Sequence, residues 1–153
     1  MLDNLTIIAE DICRWSNSNR QKLPNKINFL QKQLLHLYIL ERTFHKPSLE
    51  AVSDANPPES EYEQIRSGIE KNLPELGFYH KVTNPLDVSN KIETGIGDAV
   101  DDLTDIIQDL TEFIWWANNS EEAEAIWHFK QRFKIHTHEH LIGLIYYLGT
   151  NNC

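Results

Sequence analysis

The chain has 153 residues, with 14 Lys and Arg against 23 Asp and Glu, so it carries a formal net charge of −9; 41 % of it is hydrophobic. That length and composition suit one hydrophobic core and exclude the collagenous, low-complexity and disordered classes. The acidic balance argues against a grip on nucleic-acid backbones, which needs a basic footprint. No apolar run approaches the ~20 residues of a membrane-spanning helix, so neither nucleic acid nor membrane is expected as a partner. Asp3, Glu10 and Asp11 stand where a signal peptide would be basic and then apolar. Two cysteines, Cys13 and Cys153, cannot form a disulfide framework, and together these features predict a cytoplasmic protein.

Stripes of period 3.6 recur along the chain, and no alternating β-branched run bounded by hairpin turns stands out, which predicts an all-α protein. Leu5, Ile8, Ala9, Ile12 and Trp15 share one face of a first helix, stopped by Ser16-Asn17-Ser18-Asn19. Pro24 or Asn25 opens a second, with Ile27, Leu30, Leu34, Leu37, Tyr38 and Glu41 turned inward, ending before Pro47. Residues 46–59, with Pro47, Pro57 and Pro58, read as a surface loop holding at most one helical turn around Leu49 to Val52. Ser60 with Glu63 has the pattern of a capping box, starting a helix through Tyr62, Ile65 and Ile69 that Gly68 weakens. Leu73 to Val82 reads as a short helix or packed loop.

In the second half, Ile96, Val100, Leu103, Ile107, Leu110 and Ile114 form an uninterrupted seam. Asn118-Asn119-Ser120 breaks it, and Asn119 with Glu122 forms a second capping-box pattern for a helix reaching Leu148. A short loop between long helices makes them antiparallel neighbours. The expected architecture is a compact single-domain bundle of about five helices spanning 1–153, with a long C-terminal α-hairpin formed by about 96–118 and 120–148. Trp115, Trp116, Trp127 and Phe129 crowd its turn end as core aromatics, and one of Trp115 and Trp116 must lie off the seam.

Two constellations carry chemistry. Asp98, Asp101, Asp102, Asp105 and Asp109 project to the side opposite the Leu103/Ile107 seam. Aspartate is a poorer helix former than glutamate, and like charges three and four residues apart repel. Five short carboxylates without interleaved cations are therefore costly unless something positive faces them; otherwise they form a solvated acidic face. The second constellation is Ile135-His136-Thr137-His138-Glu139-His140. His136 and His140 continue the inward stripe of Phe129, Phe133 and Leu144, whereas His138 points away, so the inward pair needs polar partners. Core histidines satisfied by carboxylate or hydroxyl are one reading. A metal held by His136 and His140 with a carboxylate of Asp102 or Asp105 is the other. Bringing the histidines to the aspartates requires a third helix or a helix twist. The literal pattern HxHxH lacks the glutamate of the zinc-protease motif. No nucleophile elbow, phosphate loop or Ser-His-Asp spacing occurs, and neither cysteine has a neighbour that would activate it.

Phe78-Tyr79, Gly97-Asp98-Ala99, Asp101-Asp102-Leu103, Asp105-Ile106, Trp127-x-Phe129, Phe133 and His136 to His140 together resemble a bacterial family, domain of unknown function 5063, over roughly residues 75–148. In that family an Asp-rich run precedes Trp-x-Trp/Phe and then His-Trp-Gly-x-His. Asp98, Asp101, Asp102, Asp105, His136 and His140 fall on the shared positions, while Thr137 and His138 replace the Trp-Gly pair. The resemblance implies a compact helical protein of the bacterial cytosol and brings no activity with it.

Two functions fit these residues. A small acidic module could dock on a basic protein partner through Asp98, Asp101, Asp102, Asp105 and Asp109, as immunity proteins neutralise toxins or as adaptors do, needing no cofactor and no catalysis. Alternatively the chain binds a divalent metal, or is a metal-dependent hydrolase, with His136, His140, Asp102 and Asp105 as ligands. The residues that would be catalytic, the identity of a partner or substrate, and the oligomeric state are not legible.

Overall fold

A computed structural model describes residues 2–17, 25–49, 53–88 and 91–150. Helix α1 (Leu2–Asn17) is followed by α2 (Lys26–Thr43) and α3 (Tyr62–Asn72), then strands β1 (Phe78–Val82) and β2 (Thr94–Asp98). Next come α4 (Ala99–Asn119), α5 (Glu122–Arg132), a π-helical turn (Phe133–Thr137) and α6 (His138–Thr150). The backbone passes through the π turn in right-handed helical conformation at both ends, so α5, the turn and α6 form one long interrupted helix. Counted that way, the bundle has five helices among the described residues, and the antiparallel hairpin at its C-terminal end is present. The Ser18-Asn19 stop, Pro24, residues 50–52 of the turn expected around 49–52, and Cys153 lie outside the described residues.

The first helices bury the stripes their spacing dictates. Leu5, Ala9, Ile12 and Trp15 of α1, and Leu30, Leu34 and Leu37 of α2, are fully enclosed. Cys13 is a free thiol, and burial pushes its pKa up to about 12, so it is no nucleophile. Gly68 of α3 acts as a contact point, because a Cβ there would lie 1.8 Å from the carbonyl oxygen of Ser16. Its missing side chain lets α3 cross α1 backbone to backbone.

Helix α4 is the axis of the bundle and packs against α1, α3, α5 and α6. Leu103, Ile106, Ile107, Leu110, Phe113 and Trp116 are buried around it, and so are Asp102 at 4 % and Asp109 at 7 % exposure. The expectation of a solvated acidic face opposite a single seam is therefore corrected. A helix with neighbours on several sides has no free face, and Asp102 and Asp109 share the 102/106/109/113 stripe that meets the last helix. Trp116 is enclosed and Trp115 lies off the seam, half-buried.

Three local readings change. Phe78–Val82 is a strand rather than a short helix or loop, paired antiparallel with Thr94–Asp98 in the register Phe78↔Asp98 to Val82↔Thr94. Ile96 belongs to this ribbon and is 63 % exposed, so α4 starts three residues later than the seam suggested. The ribbon escaped notice because its second strand holds two glycines and its connection is long, with none of the short hairpin turns that mark such pairs. Neither capping box forms: Ser60 Oγ accepts from Gln108 Nε2, and Asn119 Nδ2 donates back to the Trp115 carbonyl. Glu61 and Glu121 occupy the N-cap positions without side-chain caps.

Gly68→Ala should destabilise the protein by about 1–3 kcal/mol, since the overlap with Ser16 outweighs the better helix propensity of alanine. Urea unfolding measures it; an unchanged or raised stability would show that the α1–α3 crossing relaxes freely.

Candidate functional site

The five aspartates at the start of α4 and along it are met by partners from α3, from β1 and from the last helix. Asp98 is the N-cap, its Oδ1 accepting from the amides of Val100 at 3.0 Å and Asp101 at 3.4 Å. Its Oδ2 takes Arg66 Nη2 at 2.8 Å. Burial pushes this carboxyl up, but Arg66 and the two amides outweigh it and hold the pKa below the ordinary aspartate value. Asp101 accepts from the Tyr62 hydroxyl and from Arg66 Nη1 at 3.3 Å. Burial, reinforced by the hydrogen bond to Asp101, raises the Tyr62 phenol to about 12. These two acids tie α4 to α3.

Asp102 faces the opposite way. Tyr79 of β1 donates its hydroxyl to Oδ2 at 2.6 Å, and His140 Nδ1 meets Oδ1 at 2.8 Å. Tyr79 reaches this position because two glycines make room for it. A Cβ at its strand partner Gly97 would lie 2.4 Å from the ring, and one at Gly143 of α6 would lie 2.3 Å from the hydroxyl. Two turns further along α4, Asp109 Oδ2 receives His136 Nδ1 at 2.8 Å and Thr137 Oγ1 at 2.7 Å, while Arg132 Nε lies 3.4 Å from Oδ1. Arg132 also binds Glu112 at 2.5 Å. An ionised carboxylate only accepts, so the neutral tautomer of each histidine that fits these bonds carries its hydrogen on Nδ1 and its lone pair on Nε2.

Asp105 lies between these two pairs, its Oδ2 3.5 Å from His140 Nε2. Burial raises its pKa against the attraction of the two histidines. The imidazoles of His136 and His140 have centroids 4.8 Å apart. Among the described residues, Asp105, His136 and His140 form the group of three whose ligand atoms, one from each, all lie within 4.8 Å of one another. Beside His136 a cleft of about 680 Å³ opens, walled by the 56–60 segment, Gln108, Glu112 and Arg132.

The histidine–aspartate contact that needed a helix twist is made by the π turn. Phe133–Thr137 winds wider than an α-helix, an insertion frequent at functional sites. The core stripe of the last helix then runs Phe129, Phe133, Thr137, Leu141, Leu144 and Leu148, all buried. His136 and His140 flank that stripe with side chains 39 % and 21 % exposed, less enclosed than an inward position implies. Of the four ligands named from sequence, His136, His140 and Asp105 converge. Asp102 instead stands behind His140 and is not in reach of the shared point. The sequence reading missed Tyr79, Thr137, Arg66 and Tyr62 as partners; Gly97 and Gly143 are the signal that could have exposed Tyr79.

The molecule is thus a mostly α-helical bundle with a carboxylate–histidine cluster between its fourth and last helices. The chain belongs to the family described as Domain of unknown function (DUF5063), whose model matches residues 6–148. It is similar in fold to the crystal structure of protein BF1032 from Bacteroides fragilis, at 19 % sequence identity and a TM-score of 0.69, over 95 % of this chain and 87 % of that one. No curated protein matches the sequence. No helix among the described residues is long and apolar enough to cross a membrane.

The hydrogen bond to Asp102, together with Asp105 and against burial, raises the His140 pKa above 6.5. A raised folded-state value contributes stability that is full below the unfolded pKa of about 6.5 and is lost as pH rises through the folded value. In EDTA-treated protein, NMR should show His140 titrating above 6.5 in the wild type and lower in Asp102→Asn. An unshifted His140 in the wild type would contradict the pair.

Proposed function

We propose that the chain binds a divalent first-row metal ion, zinc foremost, through His136 Nε2, His140 Nε2 and the Asp105 carboxylate, keeping a coordination position open for water or substrate. The observation that carries this reading is that both imidazoles hand their Nδ1–H to carboxylates that are themselves buried, Asp109 and Asp102. Metal-ligating histidines are oriented in this way, with the second nitrogen fixed by a carboxylate that raises ligand basicity. Two histidines and one carboxylate leave a vacancy of the kind that catalytic zinc sites use, where the ion lowers the pKa of bound water to about 7. Ligand atoms about 2.1 Å from one tetrahedral ion lie about 3.4 Å apart; His140 Nε2 and Asp105 Oδ2 already lie 3.5 Å apart, and His136 has to close in by about an ångström at most. The half-exposed His136 ring has freedom for that movement, and the adjoining cleft gives a substrate access.

The other reading, an immunity-like or adaptor module docking on a basic protein, rests on the net charge of −9. The acids it relies on already have internal partners: Asp98 and Asp101 hold Arg66, and Asp102 and Asp109 hold the histidines. Neutralising Asp102 and Asp105 together is accordingly not neutral for the fold, because Asp102 satisfies two donors in the core.

Zinc titrated calorimetrically into EDTA-stripped protein should bind at one equivalent. His136→Ala, His140→Ala and Asp105→Ala should each weaken it by about 100-fold or more, Asp102→Asn by about 10–100-fold, and Asp101→Asn not measurably. Absence of stoichiometric binding, or affinity indifferent to the three ligand substitutions, would overturn the metal centre.

A further inference from the structure

On the opposite side of the last helix lies a second cleft, of about 390 Å³, where the C-terminal end of α2 meets the π turn. Arg42, Lys46, Lys130 and Lys134 line it, against one carboxylate, Glu41, with the buried Phe133 beneath them. Four cations facing one acid are a local surplus of three positive charges on a protein whose net charge is −9.

Internal needs account for only part of that surplus. Lys130 serves the fold: its ammonium donates to the buried Glu41 carboxylate at 2.5 Å and to the Glu41 carbonyl at 2.9 Å, capping the negative end of α2. Arg42 lies 3.5 Å from the same carboxylate and over the Tyr38 ring, with its side chain 62 % exposed. Glu41 is then already neutralised, and the remaining two cations have no acid to answer. Lys46 reaches the Gln131 amide and the face of Trp127, 4.6 Å from the ring centroid, and Lys134 is exposed without an acidic partner among the described residues. His138 borders the same cleft, tilted against Tyr38 and Phe133.

We infer that this cleft is a binding site for a small phosphate-bearing anion, a polyphosphate or phosphate ester carrying two or more negative charges. The guanidinium of Arg42 offers a planar fork and the lysines offer compact charges, the combination suited to phosphate oxygens. The volume lies within the range of small-molecule sites. The site shares no residue with the proposed metal centre, and the two readings stand or fall separately.

The test is calorimetric titration of sodium pyrophosphate into EDTA-stripped protein, followed in parallel by tryptophan emission. Saturable one-to-one binding is expected, with an emission change that disappears in Trp127→Phe because the anion draws Lys46 off that ring. Lys134→Gln and Lys46→Gln, both exposed and dispensable for folding, should each weaken binding by about fivefold. His136→Ala and Lys81→Gln, neither of which lines the cleft, should leave it unchanged. No saturable binding, or equal weakening by Lys81→Gln, would overturn the site and show only the diffuse attraction of an anion for surface cations. Loss of binding in His136→Ala would equally overturn it, placing the anion at the metal cluster.

Discussion

The organisation of this protein depends on carboxylates held inside a helical bundle. Helix α4 carries Asp102 and Asp109 on a stripe that also carries Ile106 and Phe113, so burying the apolar residues drags two charges into the interior. An unpaired buried carboxylate would be prohibitive, so each must find donors, and the donors come from several elements. Asp102 recruits Tyr79 from β1 and His140 from α6; Asp109 recruits His136 and Thr137 from the π turn and Arg132 from α5. At the exposed end of the helix, Asp98 and Asp101 bring in Arg66 and Tyr62 from α3. Hydrophobic contacts supply most of the stabilisation, but they tolerate sliding. The carboxylates fix the register of α4 against its neighbours, because a shift of one residue would strand every one of them.

The π turn follows from the same constraint. In an unbroken α-helix, positions 129, 133, 136, 140 and 144 form one stripe, and the histidines would compete with Phe133 and Leu144 for the seam. Widening the helix across Phe133–Thr137 puts Thr137 on the buried stripe, where its hydroxyl shares Asp109, and sets His136 and His140 to one side. The histidines gain a carboxylate behind them and keep an edge towards solvent. A π insertion weakens the backbone ladder, and here it falls where the two imidazoles are positioned.

Much of the fold was legible because its physics is local. The stripes of α1 and α2, the break at Asn118 to Ser120 and the hairpin depend on spacing within one segment. Glu41 falls on the buried stripe of α2 by the same spacing, although its partner Lys130 lies 89 residues away. Within the site, the cost of five uncompensated aspartates and the demand of two inward histidines were both visible, and they proved to answer one another. What the sequence hid was tertiary. That α4 is surrounded, and so has no solvated face, depends on where α3 and α6 dock. The roles of Gly68, Gly97 and Gly143 as clearances for a backbone and a tyrosine appear only once the opposing atoms are in place. Both capping boxes failed because Ser60 and Asn119 had better partners, one of them across the bundle.

The last helix divides two surfaces of opposite character. Towards α4 it presents His136 and His140 before Asp105, a set of lone pairs and negative charge suited to a cation. Towards α2 it presents Lys130, Lys134 and His138, suited to an anion. The alternation arises within a few residues because successive side chains on a helix diverge by about 100°, so a single segment can serve both sides without the charges meeting. The buried Glu41–Lys130 pair and the buried Asp109 bond to the π turn anchor that segment from its two flanks. The last helix is thus gripped at both sides at the stretch where its own backbone hydrogen bonding is weakest.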